Sequence, residues 1–335
     1  MKVITEQKRN KPQEMVNRFL RGMRERAVVS RFRPVILVGI FLVLAVGCGG
    51  FWGGVAGAMN ALILFGVLVG CLYFLGDRMI LYVHRAQRLT EEEAPEIFEI
   101  IRELCLKLNL PEPDLYLLPS AAANVFSVGR SPQHSAIAIT YGALKVLNSK
   151  EMEGVFAHEL SHIMSHDILI TTIVAAITGL PGMIAAMLPR SADWGSGERY
   201  ERGETHPVVF FLTLLWIPVA AVLVRGFIPR RREYKADRQG GTWCGNPLYL
   251  ASALRKLGPE SEKFPLRSAE PATAHLFIVY PLSGQRWTSF FRTHPPVEAR
   301  IARLEAQYRD SRRRDERLCS SQPPHLWPEG ATDCP

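Results

Sequence analysis

Four stretches of this 335-residue chain are nearly free of charge, and densely charged sequence separates them. They run from Val35 to about Gly54, from Val55 to about Leu75, from Ile168 to about Leu188, and from Val208 to about Ile228. A bilayer core takes about 20 apolar residues in helical form, and each run meets that length. The expectation is about four transmembrane helices. The first two form a hairpin around Gly49, Gly50, Gly53 and Gly54. Gly179 and Pro181 interrupt the third run; Pro218 interrupts the fourth, which also carries Arg225. Tilted, kinked or partly re-entrant spans accommodate such residues when neighbours satisfy the backbone. A cleaved signal peptide does not fit, because the first run starts late, is too long and is followed at once by a second.

The net charge of +8 raises nucleic acid as a partner. Much of the excess, however, lies beside the apolar runs, in residues 1–33 and at Arg230, Arg231 and Arg232. Juxtamembrane Lys and Arg set topology and touch anionic headgroups, and no nucleic-acid module accompanies them. The expected surface partner is therefore the lipid bilayer and not nucleic acid. The basic arm stays in the cytosol, and four spans return both soluble pieces to that side. The six cysteines include no CxxC pair, which speaks against a disulfide framework or a cysteine metal site.

The piece over 77–167 mixes helices with short strands. Ile97, Ile100, Ile101, Leu104 and Leu108 line one face of a helix expected over Glu91 to about Leu108, with Thr90 and Glu93 as its capping box. Asp114–Leu118, Asn124–Val128 and Ser135–Thr140 read as strands. Helices follow over Tyr141–Leu147 and from Lys150. The piece over 229–308 reads as helical over Arg232–Gln239, Pro247–Leu257 and Pro296–Tyr308. The class is α+β: mainly helical, with a small sheet.

The chemistry lies in His158-Glu159-Leu160-Ser161-His162 on the helix from Lys150. Histidines at i and i+4 share one helix face and can grip a single zinc ion. Glu159 is placed to take a proton from an activated water. A third ligand is needed. The metzincin extension would require Gly at 165 and His at 168, where the chain has Ser165 and Ile168. His166 is excluded by rise, since eight residues of helix span about 12 Å. Glu233 is the better candidate, with Asp237 four residues on to hydrogen-bond a ligand imidazole. From spacing alone, a solvated charged helix explains Glu233 and Asp237 equally well.

Five stretches extend the pattern: Asn124–Gly129, Leu147–His162, Arg232–Asp237, Pro271–Phe277 and Thr293–Arg300. With them the chain resembles the HtpX-type membrane zinc peptidases, relatives of the prenyl-protein proteases. The resemblance covers roughly residues 35–308. It implies a gluzincin fold with one Zn2+ per chain, held by His158, His162 and Glu233, with Glu159 as base. It implies that Asn124, Val125 and Phe126 lie on an edge strand that pairs with substrate. It places His294 and Arg300 near the scissile carbonyl, as oxyanion stabilisers. Val125 stands where the family usually has Ala, a change expected to narrow the substrate groove.

The expected organisation is a basic cytosolic arm (1–33), a transmembrane hairpin (34–76), the first catalytic part (77–167) and a second transmembrane pair with a polar loop over 189–206 (168–228). The second catalytic part (229–308) and a disordered tail (309–335) complete it. The expected activity is zinc endopeptidase cleavage of damaged or misassembled membrane proteins at the cytosolic face of a bacterial inner membrane, with other membrane proteases as partners. The competing readings are a prenyl- or lipopeptide-processing protease, whose relatives carry more spans, and a catalytically silent scaffold or chaperone.

Overall fold

The computed structural model describes residues 3–179, 222, 229–263, 274–280 and 294–321. It divides into two compact units, Met1–Gly70 and Cys71–Pro335.

Helix α1 runs over Val3–Val83 and breaks at Gly54, whose φ of 57° and ψ of −145° are not helical. Glycine alone takes that conformation without strain. The limbs fold back on one another beside the break. A Cβ on Gly49 would lie 2.5 Å from the Gly57 carbonyl oxygen and 2.7 Å from Ala61 Cβ. Residues 3–33, expected as a separate arm, belong to α1. The apolar part, Val38–Val83, has 46 residues, more than two bilayer crossings need, and is the one single helix among the described residues long and apolar enough to cross. Phe51, Trp52, Val55 and Leu64 are exposed on it, apolar surface that water does not favour. The remainder of the third expected span (180–188), the fourth (208–228) and the loop 189–206 lie outside the described residues apart from Val222.

The second unit is built on a four-stranded sheet in the order β1-β2-β4-β3. Strand β1 (Gln87–Arg88) pairs antiparallel with β2 (Asp114–Leu118), β2 pairs parallel with β4 (His134–Thr140), and β3 (Val125–Ser131) pairs antiparallel with β4. Alternate side chains of β3 and β4 enter two cores, as the two-residue repeat of a strand requires. Val125, Ile137 and Ile139 join Leu104, Phe156 and Leu160 on one face. Phe126, Val128 and Ala138 join Ile80 and Phe277 on the other. Gly129, at φ 147°, lets the tight β3–β4 connection close, since a Cβ there would lie 2.3 Å from the His134 carbonyl oxygen.

Helix α2 (Pro95–Leu108) starts four residues later than its periodicity suggests. Thr90 and Glu93 do bond, both Thr90 N and Oγ1 donating to Glu93 Oε2 at 2.9 Å. That box closes a turn ahead of the helix, and Pro95 takes the first helical position, where a missing N–H costs nothing. Helix α3 (Tyr141–Val146) leads into α4 (Ser149–Met164), which a reciprocal Asn148–Glu151 capping box starts.

At Ser165–His166 the chain turns by 89° into α5 (Asp167–Thr178). His166 is exposed in the left-handed region at φ 55°. Helix α4 has already ended at Met164, so the i+4 series of histidines does not continue through His166. The beginning of the third apolar run packs on the sheet: Ile168, Thr172, Val174 and Ala175 are buried, and Thr172 Oγ1 accepts from Gly129 N at 2.9 Å.

Helices α6 (Arg231–Trp243), α7 (Pro247–Lys263) and α8 (Val297–Ser321) complete the unit. The tail expected to be disordered from 309 continues α8 to Ser321. No Gly or Pro interrupts that stretch, and Arg, Glu and Asp tolerate a solvated helix. Residues 322–335 lie outside the described residues.

Candidate metal centre

Helix α4 is buried along nearly its whole length, so His158 and Glu159 are 1% and 2% exposed. Its first turn is tied to α7: Glu151 accepts from Ser252 Oγ at 2.6 Å and Lys256 Nζ at 2.7 Å. Helix α6 packs beside it with Glu233, Ala236, Asp237, Gly240 and Gly241 buried. That spacing makes one stripe of the helix. Gly240 sets the approach, since a Cβ there would lie 2.8 Å from His158 N.

The arrangement brings three side chains from two helices together. His158 Nε2 and His162 Nε2 are 3.3 Å apart. Glu233 places Oε2 at 3.8 Å from His158 Nε2 and Oε1 at 3.6 Å from His162 Nε2. All three ligand atoms fall within 4.8 Å of one another. Atoms bound about 2.0–2.1 Å from a tetrahedral zinc lie roughly 3.3–3.5 Å apart. The donor set and its spacing fit such an ion to within a few tenths of an ångström. Burial opposes ionisation of Glu233, but His294 and the two other imidazoles outweigh it and hold the carboxyl well below its usual range.

Further side chains steady the ligands. Asp237 Oδ1 lies 3.1 Å from His158 Nδ1, off the line of an ideal hydrogen bond. Arg300 grips Asp237 with Nε to Oδ2 at 2.8 Å and Nη2 to Oδ1 at 2.6 Å. Burial would raise the Asp237 carboxyl, but the Arg300 charge, with His158, lowers it to about 2. On the other ligand, His162 Nδ1 is 3.9 Å from Asp167 Oδ2, which Arg232 Nε contacts at 3.1 Å.

Two expected roles change. Arg300 does not line the cavity over the cluster. It is fully buried, and its third bond goes from Nη1 to the Ile278 carbonyl at 2.6 Å. It therefore supports His158 through Asp237 and does not face a scissile carbonyl. His294 lines the cavity, but Nδ1 lies 2.8 Å from Glu233 Oε2 and Nε2 3.1 Å from the His275 carbonyl. Both ring nitrogens face acceptors, so the ring has no N–H to spare for an oxyanion while these contacts hold.

The expected substrate strand also differs in detail. Asn124 is fully buried, and its amide clasps Val279: Nδ2 donates to Val279 O at 2.7 Å and Oδ1 accepts from Val279 N at 3.3 Å. Val125 O accepts from Ile278 N at 2.9 Å, while the Val125 and Phe126 side chains are core. Strand β3 is the sheet edge, but the residue that reaches the cavity is Ser127. Its Oγ donates to Glu159 Oε2 at 2.5 Å. His275, buried at 2% exposure, also lines the cavity. Ser127 and His275 lie inside stretches that the sequence marks, but no spacing rule singles them out. Asp167 and Gly240 carry no sequence signal at all.

Two imidazoles and a carboxylate spaced for one ion, with a second carboxylate beside them, are the constellation of a metallopeptidase. The family described as "Peptidase family M48" matches residues 91–308. Similar curated proteins are the "Protease HtpX homolog" of Syntrophotalea carbinolica, 42% identical over 83% of this chain and 98% of that one, and the protein of the same description from Syntrophobacter fumaroxidans, 41% identical over 83% and 99%. The crystal structure of S. mikatae Ste24p is a distant likeness, 14% identical with a TM-score of 0.43, covering 86% of this chain and 67% of that one. The chain belongs to peptidase family M48, as an HtpX-type metallopeptidase.

Proposed function

We propose that this protein is a zinc endopeptidase of a bacterial inner membrane that cleaves damaged or misassembled membrane proteins from the cytosolic side. The observation that carries the reading is Glu159, buried beside the His158, His162 and Glu233 cluster in a chain of this family. A zinc ion held by those three side chains would polarise the scissile carbonyl and lower the pKa of a water.

The chain's own residues do the rest. Ser127 occupies Glu159 Oε2, which leaves Oε1 to take the attacking water's proton and pass it to the leaving amine. His294 and Asp237 hold Glu233 and His158 in place through the contacts above. An extended substrate adds its backbone to the β3 edge at Ser127, between the bonds already made at Val125 and Gly129. The apolar stretch Val38–Val83 is long enough to anchor the chain in the bilayer in which such substrates live.

The test is cleavage of an unfolded membrane protein and of casein by purified, zinc-loaded enzyme, beside a prenylated peptide. The Glu159→Gln variant should keep one zinc per chain and lose cleavage. Turnover retained by that variant overturns the role of Glu159. Cleavage of the prenylated peptide alone overturns the substrate class. Protease access to residues 229–263 in sealed, right-side-out vesicles overturns the cytosolic placement.

A further inference from the structure

We propose that the Ser127 hydroxyl is a positioning group for the catalytic base, locking Glu159 Oε2 so that Oε1 alone faces the attacking water. The inference rests on the peptidase reading above. The Ser127–Glu159 bond, at 2.5 Å, lies at the short end for a hydroxyl donating to a carboxylate. Both residues are shielded, at 5% and 2% exposure, so water competes little for either.

Rotation about the last torsion of a glutamate is broad and soft. The α4 backbone therefore delivers the Glu159 carboxyl to the cavity without fixing its plane. The Ser127 bond fixes it, and it comes from a rigid place. Strand β3 is laddered to β4 along its length. On its outer side it is pinned at Val125 O by Ile278 N and at Gly129 N by Thr172 Oγ1. Ser127 stands between those pins. The residue at which a substrate strand would join the edge is thus the residue that orients the base.

The experiment compares zinc-loaded, full-length wild type with Ser127→Ala, Ser127→Thr and Glu159→Gln on a fluorogenic casein peptide. Zinc affinity is measured by chelator competition, and melting temperature by scanning. Ser127→Ala should lower kcat about tenfold, a misorientation cost, with KM, zinc affinity and melting temperature held within twofold or a few degrees. Ser127→Thr restores the hydroxyl and should bring kcat back to within threefold of wild type. A Ser127→Ala enzyme with unchanged kcat overturns the inference while leaving the peptidase reading intact. Loss of kcat together with zinc or fold, or failure of threonine to rescue, assigns Ser127 a merely structural role and also overturns it. An inactive zinc-loaded wild type removes the peptidase reading and this inference with it.

Discussion

Gly240 of α6 touches the backbone of His158 on α4, so closely that a single added methyl would stand 2.8 Å from the His158 amide nitrogen. The atom it would meet is main chain and cannot swing aside. Gly240→Ala should therefore push the helices apart at the metal ligand. An overpacked core site costs about 1–3 kcal/mol. The expected result is a lower melting temperature together with weaker zinc binding, measured by scanning calorimetry and chelator titration.

Arg300 should behave as a support for the metal and not as a catalytic group. Arg300→Lys keeps the charge but loses the fork that holds both Asp237 oxygens. Removing such an outer partner typically costs about 10–100-fold in metal affinity. The expected outcome is weaker zinc binding with kcat per bound zinc little changed. An unchanged zinc affinity with collapsed kcat would restore the oxyanion role.

Glu151 makes stability depend on pH. Burial raises its carboxyl, but hydrogen bonds from Lys256, Ser252 and Asn148 outweigh that and hold it below its usual value. A depressed folded value means the contribution is present above the unfolded pKa of about 4.3 and is lost as pH falls through the folded one. Acid unfolding of Glu151→Gln should therefore show a shallower loss of stability below about pH 4.3 than wild type, read from urea midpoints across pH.

Phe277 seats the segment 274–280 by stacking edge-on against Phe126 at 4.8 Å between ring centres. Phe277→Ala should cost about 3–5 kcal/mol. It should also speed hydrogen exchange at the Ile278 and Val279 amides, which bond Val125 O and Asn124 Oδ1. Protection unchanged at both amides would show that the segment is held without the ring.

The strands and the metal-motif helix were legible because their signals are local. The apolar run of β4 and the histidines four apart on α4 need no partner to be recognised. Glu233 was legible only as one of two readings, since an acid pair on a helix looks alike whether it faces water or a metal. Its neighbour α4, far off in sequence, buries it beside His158 and His162, which rules out a solvated face. Arg300 shows the same limit: nothing near it in the chain names Asp237 as its partner. The start of α2 moved to Pro95 because a capping box can close a turn as well as a helix. Ser127 carries no local signal, because a serine in a buried strand gains its meaning from what stands opposite.

Arg300 also imposes an order on biogenesis. It lies 63 residues beyond Asp237, on the helix that follows every other element of the site. A nascent chain that has already made both histidines and Glu233 still lacks the cation that neutralises Asp237 behind His158. The Arg300–Asp237 pair can therefore close only after the chain has been made as far as residue 300, which makes the support behind His158 the last of these contacts to form.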